Sequence, residues 1–208
     1  MSTLRQIFCP AGCACLLCNE ERADLTHEIC PDCAALLHPC VNPAPPPEVD
    51  GLAAAFLYET HAARAVKALK FRDEPVFAEF LAHHMSIPPD WQIDAMVPVP
   101  LHPWRELWRG YNQSQLLAAH IAKKTEIPLI PQLLRRVRNT APQSSLRGKA
   151  RRNNLKRAFA ADPATVGQNI LLIDDVCTTG TTLSACAQAL KKAGAARVYA
   201  LTATATER

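Results

Sequence analysis

The sequence predicts an α/β fold, a mostly parallel sheet flanked by helices, with a small cysteine-rich module at its N-terminal end. Two observations carry the sheet. From Gly51 onward, short apolar runs alternate with stretches of helical period, the pattern of strands joined by crossover helices. One such run, Ile170–Ile173, is apolar on successive residues, so both faces of that strand must be covered, as in a parallel sheet. The module rests on a third observation: seven of the nine cysteines fall within the first 40 residues.

Those seven are Cys9, Cys13, Cys15, Cys18, Cys30, Cys33 and Cys40. Cys15-Leu-Leu-Cys18 and Cys30-Pro-Asp-Cys33 form two C-x₂-C pairs separated by eleven residues. Two such pairs complete a tetrahedral Cys₄ site for structural Zn²⁺, and a segment with so little core gains its order from the metal. Disulfides and redox-active pairs are the competing readings. A reducing cytosol favours metal over disulfides. Pro43–Pro47 (PAPPP) then reads as a stiff linker. The expected organisation is a zinc module at 1–42, a Pro-rich linker at 43–50 and the α/β domain at 51–208.

Within that domain, Leu52–Tyr58 reads as extended. Ala62–Lys70 reads as a helix with Val66 and Leu69 on one face. Pro75 fits the first turn of a second helix whose apolar side is Phe77, Phe80 and Leu81. Ala95–Val99 is a short strand and Asn112–Lys124 a helix. Arg135–Arg157 fits neither period and reads as a long loop. A helix over Ser184–Ala193 ends at Gly194, and Val198–Thr204 is a last strand.

The segment that carries chemistry is Ile170–Leu183, ILLIDDVCTTGTTL. The strand is expected to stop at two adjacent carboxylates, Asp174 and Asp175. Thr178, Thr179, Gly180, Thr181 and Thr182 follow, and Leu183, Cys186, Ala187 and Leu190 then take helical spacing. Small residues let backbone N–H groups converge on an anion. The helix N-terminus adds donors and partial positive charge, and the threonine hydroxyls add more donors. Adjacent carboxylates repel each other, which a plain strand-to-helix turn has no use for. They can accept hydrogen bonds from sugar hydroxyls or hold a cation through water. An ATPase P-loop is excluded, because no Gly-Lys-Ser/Thr follows at the required spacing.

Composition is that of an ordinary globular protein: 208 residues, 49% hydrophobic and 20% charged, with a net charge of +4. No apolar run reaches the roughly 20 residues that span a bilayer. The N-terminus MSTLRQIFCPAGC lacks the apolar core of a signal peptide, so a cytoplasmic protein without membrane insertion is expected. The charge is unevenly spread. Between Ile127 and Ala161 there are nine basic residues, Arg147, Arg151 and Arg152 among them, and no acidic one. Such a stretch suits a pyrophosphate group, the phosphates of single-stranded DNA, or solvent alone. Phe159 is the only aromatic residue there, so no base-stacking platform is evident within it.

The segment LLIDDVCTTGTTL strongly resembles the signature of type I phosphoribosyltransferases, which bind phosphoribosyl pyrophosphate (PRPP). Val97–Ala118 (VPVPLHPWRELWRGYNQSQLLA), Thr140–Phe159 and the cysteine pairs narrow the resemblance to the ComF family of competence-associated, phosphoribosyltransferase-like proteins. The resemblance implies that Asp174 and Asp175 contact the ribose hydroxyls and that Thr178–Thr182 cradle the 5′-phosphate. It places Pro98, Val99, Pro100 and Leu101 at the loop that meets pyrophosphate and Mg²⁺, and Arg138–Arg157 at the mobile loop that closes over PRPP. The chemistry implied is transfer of the phosphoribosyl group to a nitrogen acceptor. The competing expectation is a non-catalytic PRPP-binding accessory of the DNA-uptake machinery that binds single-stranded DNA.

Overall fold

The computed structural model describes residues 14–71, 76–137 and 158–206. Cys9, Cys13, Pro75 and the basic residues from Arg138 to Arg157, including Arg147, Arg151 and Arg152, lie outside the described residues. A single-turn helix α1 (Pro31–Ala35) belongs to the cysteine segment. The rest follows as β1 (Gly51–Leu57), α2 (Thr60–Phe71), α3 (Val76–His84), β2 (Ala95–Pro98), α4 (Pro103–Arg109) and α5 (Gln113–Thr125). A small hairpin-like pair, β3 (Leu134–Arg136) and β4 (Phe159–Ala161), precedes β5 (Asn169–Cys177), α6 (Thr181–Lys192) and β6 (Arg197–Ala205).

Four strands form one sheet in the order β1-β6-β5-β2, and every neighbouring pair is parallel. This is the α/β architecture the alternating pattern predicts. β5 lies inside the sheet, with Ile173 opposite Pro98 on one side and Leu201 on the other. Its run Ile170–Ile173 is fully buried. Period-two alternation splits that run between two cores. Leu171 and Ile173 face a cluster that includes Leu69 of α2, Phe80 of α3 and Leu117 of α5. Ile170 and Leu172 face Leu183, Cys186 and Leu190 of α6, together with Leu134 and Phe159 of the β3–β4 ladder.

The cysteine segment packs on the first of these faces. Cys15, Leu17, Ile29 and Leu37 share one apolar cluster with α2 and α3. The backbone at its end is tied to β1, through Cys40 N–H to the Ala55 carbonyl at 3.2 Å and Leu57 N–H to His38 at 2.9 Å. Beyond the prolines, Asp50 N–H bonds the Val198 carbonyl at 2.8 Å. The Pro43–Pro47 stretch therefore runs between two anchored points.

Several elements depart from the sequence expectation. β5 does not stop at the aspartates but continues through them to Cys177. The reason is β6, which is long enough to pair Thr202 with Asp174, Thr204 with Val176 and Ala205 with Cys177. α6 starts at Thr181 rather than Ser184, because Gly180 takes the left-handed conformation (φ 64°) that turns the chain directly into the helix. The helix expected from Asn112 starts at Gln113, with Asn112 as its cap. Part of the expected loop at Arg135–Arg157 is ladder, since Leu134–Arg136 pairs antiparallel with Phe159–Ala161. Three-residue strands are too short to show a period. α4 had no periodic signal either; its ends are set by the His102 side chain accepting from Trp104 N–H and by Gly110 at φ 83°.

Candidate functional site

The carboxyl ends of β2 and β5 open onto a cavity of about 320 Å³. Open parallel sheets bind ligands at this edge, where the loops diverge. Asp174, Asp175, Thr178, Thr179, Gly180, Thr181 and Thr182 all line it, as do Val99, Pro100 and Leu101 from the loop after β2. Pro98 ends β2 just before that wall and is not among the lining residues.

The floor is the end of β5. Alternation sends the two carboxylates to different partners. Asp174 is 8% exposed and accepts from Ser114 Oγ at 2.8 Å. Asp175 is 2% exposed and forms an ion pair with Lys70 Nζ at 2.6 Å. Burial first, and then the neighbouring Asp175 charge, raise the Asp174 carboxyl to about 7, against the opposing pull of Lys70 and Ser114. Threonines at the end of β6 and just beyond it hold this floor in place: buried Thr204 Oγ donates to the Asp175 carbonyl at 3.2 Å and half-buried Thr206 Oγ to that of Thr178 at 3.1 Å.

One wall is the start of α6. No side chain caps that helix, so the first-turn N–H groups that a helix cannot satisfy internally border the cavity. Thr179 and Thr181 hydroxyls, 2.8 Å apart, add polar groups at the same edge. The whole arrangement has the donors and the partial positive charge that can hold an anion. Asn112 shapes the opposite wall. Its Nδ2 donates to the Val99 carbonyl at 3.1 Å, while its Oδ1 caps α5 by accepting from Ser114 N–H at 3.0 Å.

Comparison with known proteins shows what this chain resembles. Residues 112–206 match the phosphoribosyl transferase domain. Competence protein F of Haemophilus influenzae is 37% identical over 118 residues, covering 54% of this chain and 48% of that protein. Competence protein ComFC of Bacillus subtilis is 28% identical over 93% of this chain and 85% of its own length. The chain is similar to these competence proteins. It spans about half the length of the Haemophilus relative and most of the Bacillus one. Among solved structures, the glutamine PRPP amidotransferase of B. subtilis complexed with ADP and GMP is 22% identical over 65% of this chain and 25% of that one, with a TM-score of 0.40.

The chain also gathers its paired cysteines. The Sγ atoms of Cys15, Cys18, Cys30 and Cys33 all lie within 4.8 Å of one another. Tetrahedral zinc with Zn–S bonds of about 2.3 Å sets its sulfurs roughly 3.8 Å apart, and Cys18 Sγ and Cys30 Sγ are 3.9 Å apart. Burial raises the Cys15 thiol, but backbone N–H groups of Cys18, Cys30 and Leu17 overcome this and bring it down to about 6. Four soft donors with N–H groups aimed at sulfur fit zinc.

Sequence reasoning missed several partners of the site. Lys70, Gln113, Ser114 and Arg136 line the cavity with the signature residues. For Ser114 a signal existed, since Asn-Gln-Ser opens a helix directly after the loop of β2. Lys70 carried none, because it reads as the end of an amphipathic helix, whereas Arg136 belongs to the basic stretch already read as suited to a pyrophosphate group. Among the described residues no helix is long and apolar enough to cross a membrane.

Proposed function

We propose that the cavity binds PRPP with Mg²⁺, and that the chain transfers its phosphoribosyl group to a nitrogen acceptor. One observation carries this: two buried carboxylates, an uncapped helix start rich in threonine, and the Val99–Leu101 loop face a single cavity. Thr178–Thr182 and the α6 N–H groups hold the 5′-phosphate, and Asp174 and Asp175 take the ribose hydroxyls. The loop through Pro98, Val99 and Pro100 meets the pyrophosphate. A bond forms from the acceptor nitrogen to the anomeric carbon as the bond to pyrophosphate oxygen breaks. The carboxylates orient the ribose while positive charge builds on its ring. Mg²⁺, when bound, neutralises pyrophosphate charge. Catalysis is therefore chiefly positioning and electrostatics.

Calorimetry with PRPP and Mg²⁺ tests the reading. Asp174→Ala combined with Asp175→Ala removes the ribose partners and should weaken PRPP by at least about 100-fold, taking one or more charge-assisted hydrogen bonds from each carboxylate. Unchanged affinity in a folded double variant refutes it.

The same proposal assigns residues 1–42 to a zinc module, 43–50 to a linker and 51–208 to the catalytic domain, working in the cytoplasm where thiols stay reduced. A second reading, an accessory of DNA uptake that binds single-stranded DNA, is favoured by α4. Trp104 and Trp108, one turn apart, are 70% and 73% exposed directly after the cavity loop. They supply the stacking platform that the basic stretch lacks. Single-strand affinity should then fall with salt at a log–log slope of about −0.7 per phosphate neutralised. Trp104→Ala with Trp108→Ala should cost roughly 1–3 kcal/mol per stacked base. Wild-type protein with no affinity for single strands at low salt removes this reading, and a pyrophosphate-release screen across amines and bases then decides for or against turnover.

A further inference from the structure

Lys70 poses a question for the site. Its Nζ lies 2.6 Å from Asp175 Oδ2, so the carboxylate expected to take ribose hydroxyls is already engaged. The lysine sits in the last turn of α2, and its side chain is 20% exposed towards the cavity it lines. Lys70 and Arg136 are the cations among the described lining residues, and they reach the cavity from opposite faces of the sheet. Leu69 and the rest of α2 pack with Leu171 and Ile173, whereas the β3–β4 ladder packs with α6 against Ile170 and Leu172. A ligand with one phosphate at the start of α6 already has helix N–H groups, threonines and Arg136 on that side. Its other anionic end meets the side of Lys70.

We infer that Lys70 is a pyrophosphate-binding residue that changes partner: it holds Asp175 in the empty site and moves to the pyrophosphate of PRPP when ligand enters. The inference rests on the PRPP reading above. A lysine is suited to the exchange. Its ammonium carries three donors on a flexible four-carbon stem, and it binds as a point charge rather than a fixed fork. In the empty site it offsets one of two adjacent buried carboxylates. A pyrophosphate group offers more negative charge and more acceptors than one carboxylate. Once Lys70 has moved, both oxygens of Asp175 are available to the ribose.

The test compares folded variants of the full chain by calorimetry in Mg²⁺, with inorganic pyrophosphate and ribose 5-phosphate as separate probes. Lys70→Met alone strands a buried charge on Asp175 and risks misfolding. The informative pair is Asp175→Asn, which leaves the partly exposed Lys70 ammonium facing the cavity, against Asp175→Asn with Lys70→Met, in which neither charge of the pair remains. Loss of the ammonium should weaken pyrophosphate by roughly 10- to 100-fold, the range of a hydrogen bond to a charged group, and leave ribose 5-phosphate unchanged. A lysine that merely supports Asp175 predicts no further loss in the second variant, and that result overturns the inference. Equal loss for both probes also overturns it. Wild-type protein that fails to bind PRPP removes the reading underneath, and is distinguishable because it shows before any variant is made.

Discussion

Asp174 carries a cost that depends on pH. Its carboxyl is raised to about 7 by burial and by the Asp175 charge, against about 3.9 in an unfolded chain. A raised folded pKa favours folding with the proton on. That contribution is fully present below about pH 4 and is lost as pH rises through about 7. Asp174→Asn keeps an acceptor for Ser114 Oγ and cannot ionise. Its melting temperature should match the wild type near about pH 4 and exceed it by several degrees at about pH 8. Thermal melts across that range check this, and a difference that does not change with pH refutes the assignment. The pair itself was legible in the sequence, because two acids directly after a fully apolar run stand out. Its partners were not. Ser114 is sixty residues away, and a lysine ending an amphipathic helix looks like any solvated lysine until the fold turns α2 across the cavity.

At the level of elements, the helices with a clear apolar stripe and the buried strand were legible, and the irregular pieces were not. The exceptions share a cause. β3, β4 and α4 are three, three and seven residues long, too short for a period, and their ends are set by caps and pairing partners distant in sequence. The end of β5 was misjudged for a similar reason, since the length of its neighbour decides it. The cysteine segment carries the prediction that belongs at this scale. Its Cys15 and Leu17 pack into the cluster that holds α2 and α3. Removing metal should therefore loosen more than the segment itself. Protein purified without chelator should contain about one zinc per chain. Stripping it, or making Cys18→Ser, should lower the melting temperature and expose the His38–Cys40 backbone to hydrogen exchange. A chain that is zinc-free as purified and equally stable refutes the site.

Across the whole molecule, the fold class was readable because alternating strands and helices leave few ways to bury both faces of β5. The order of the strands was not readable. β1 pairs with β6, the last strand, and β6 with β5, while β2 takes the far edge. That order has a consequence during synthesis. About 140 residues separate Leu57 at the end of β1 from Arg197 at the start of β6. At ribosomal rates of roughly 5–20 residues per second, β1 waits roughly 7 to 28 seconds for its partner. An unpaired strand is a template for wrong association in that interval. β1 is GLAAAFL, mostly alanine and glycine, which are poor strand formers. Such a strand holds its place once β6 arrives but offers little to another nascent chain before then.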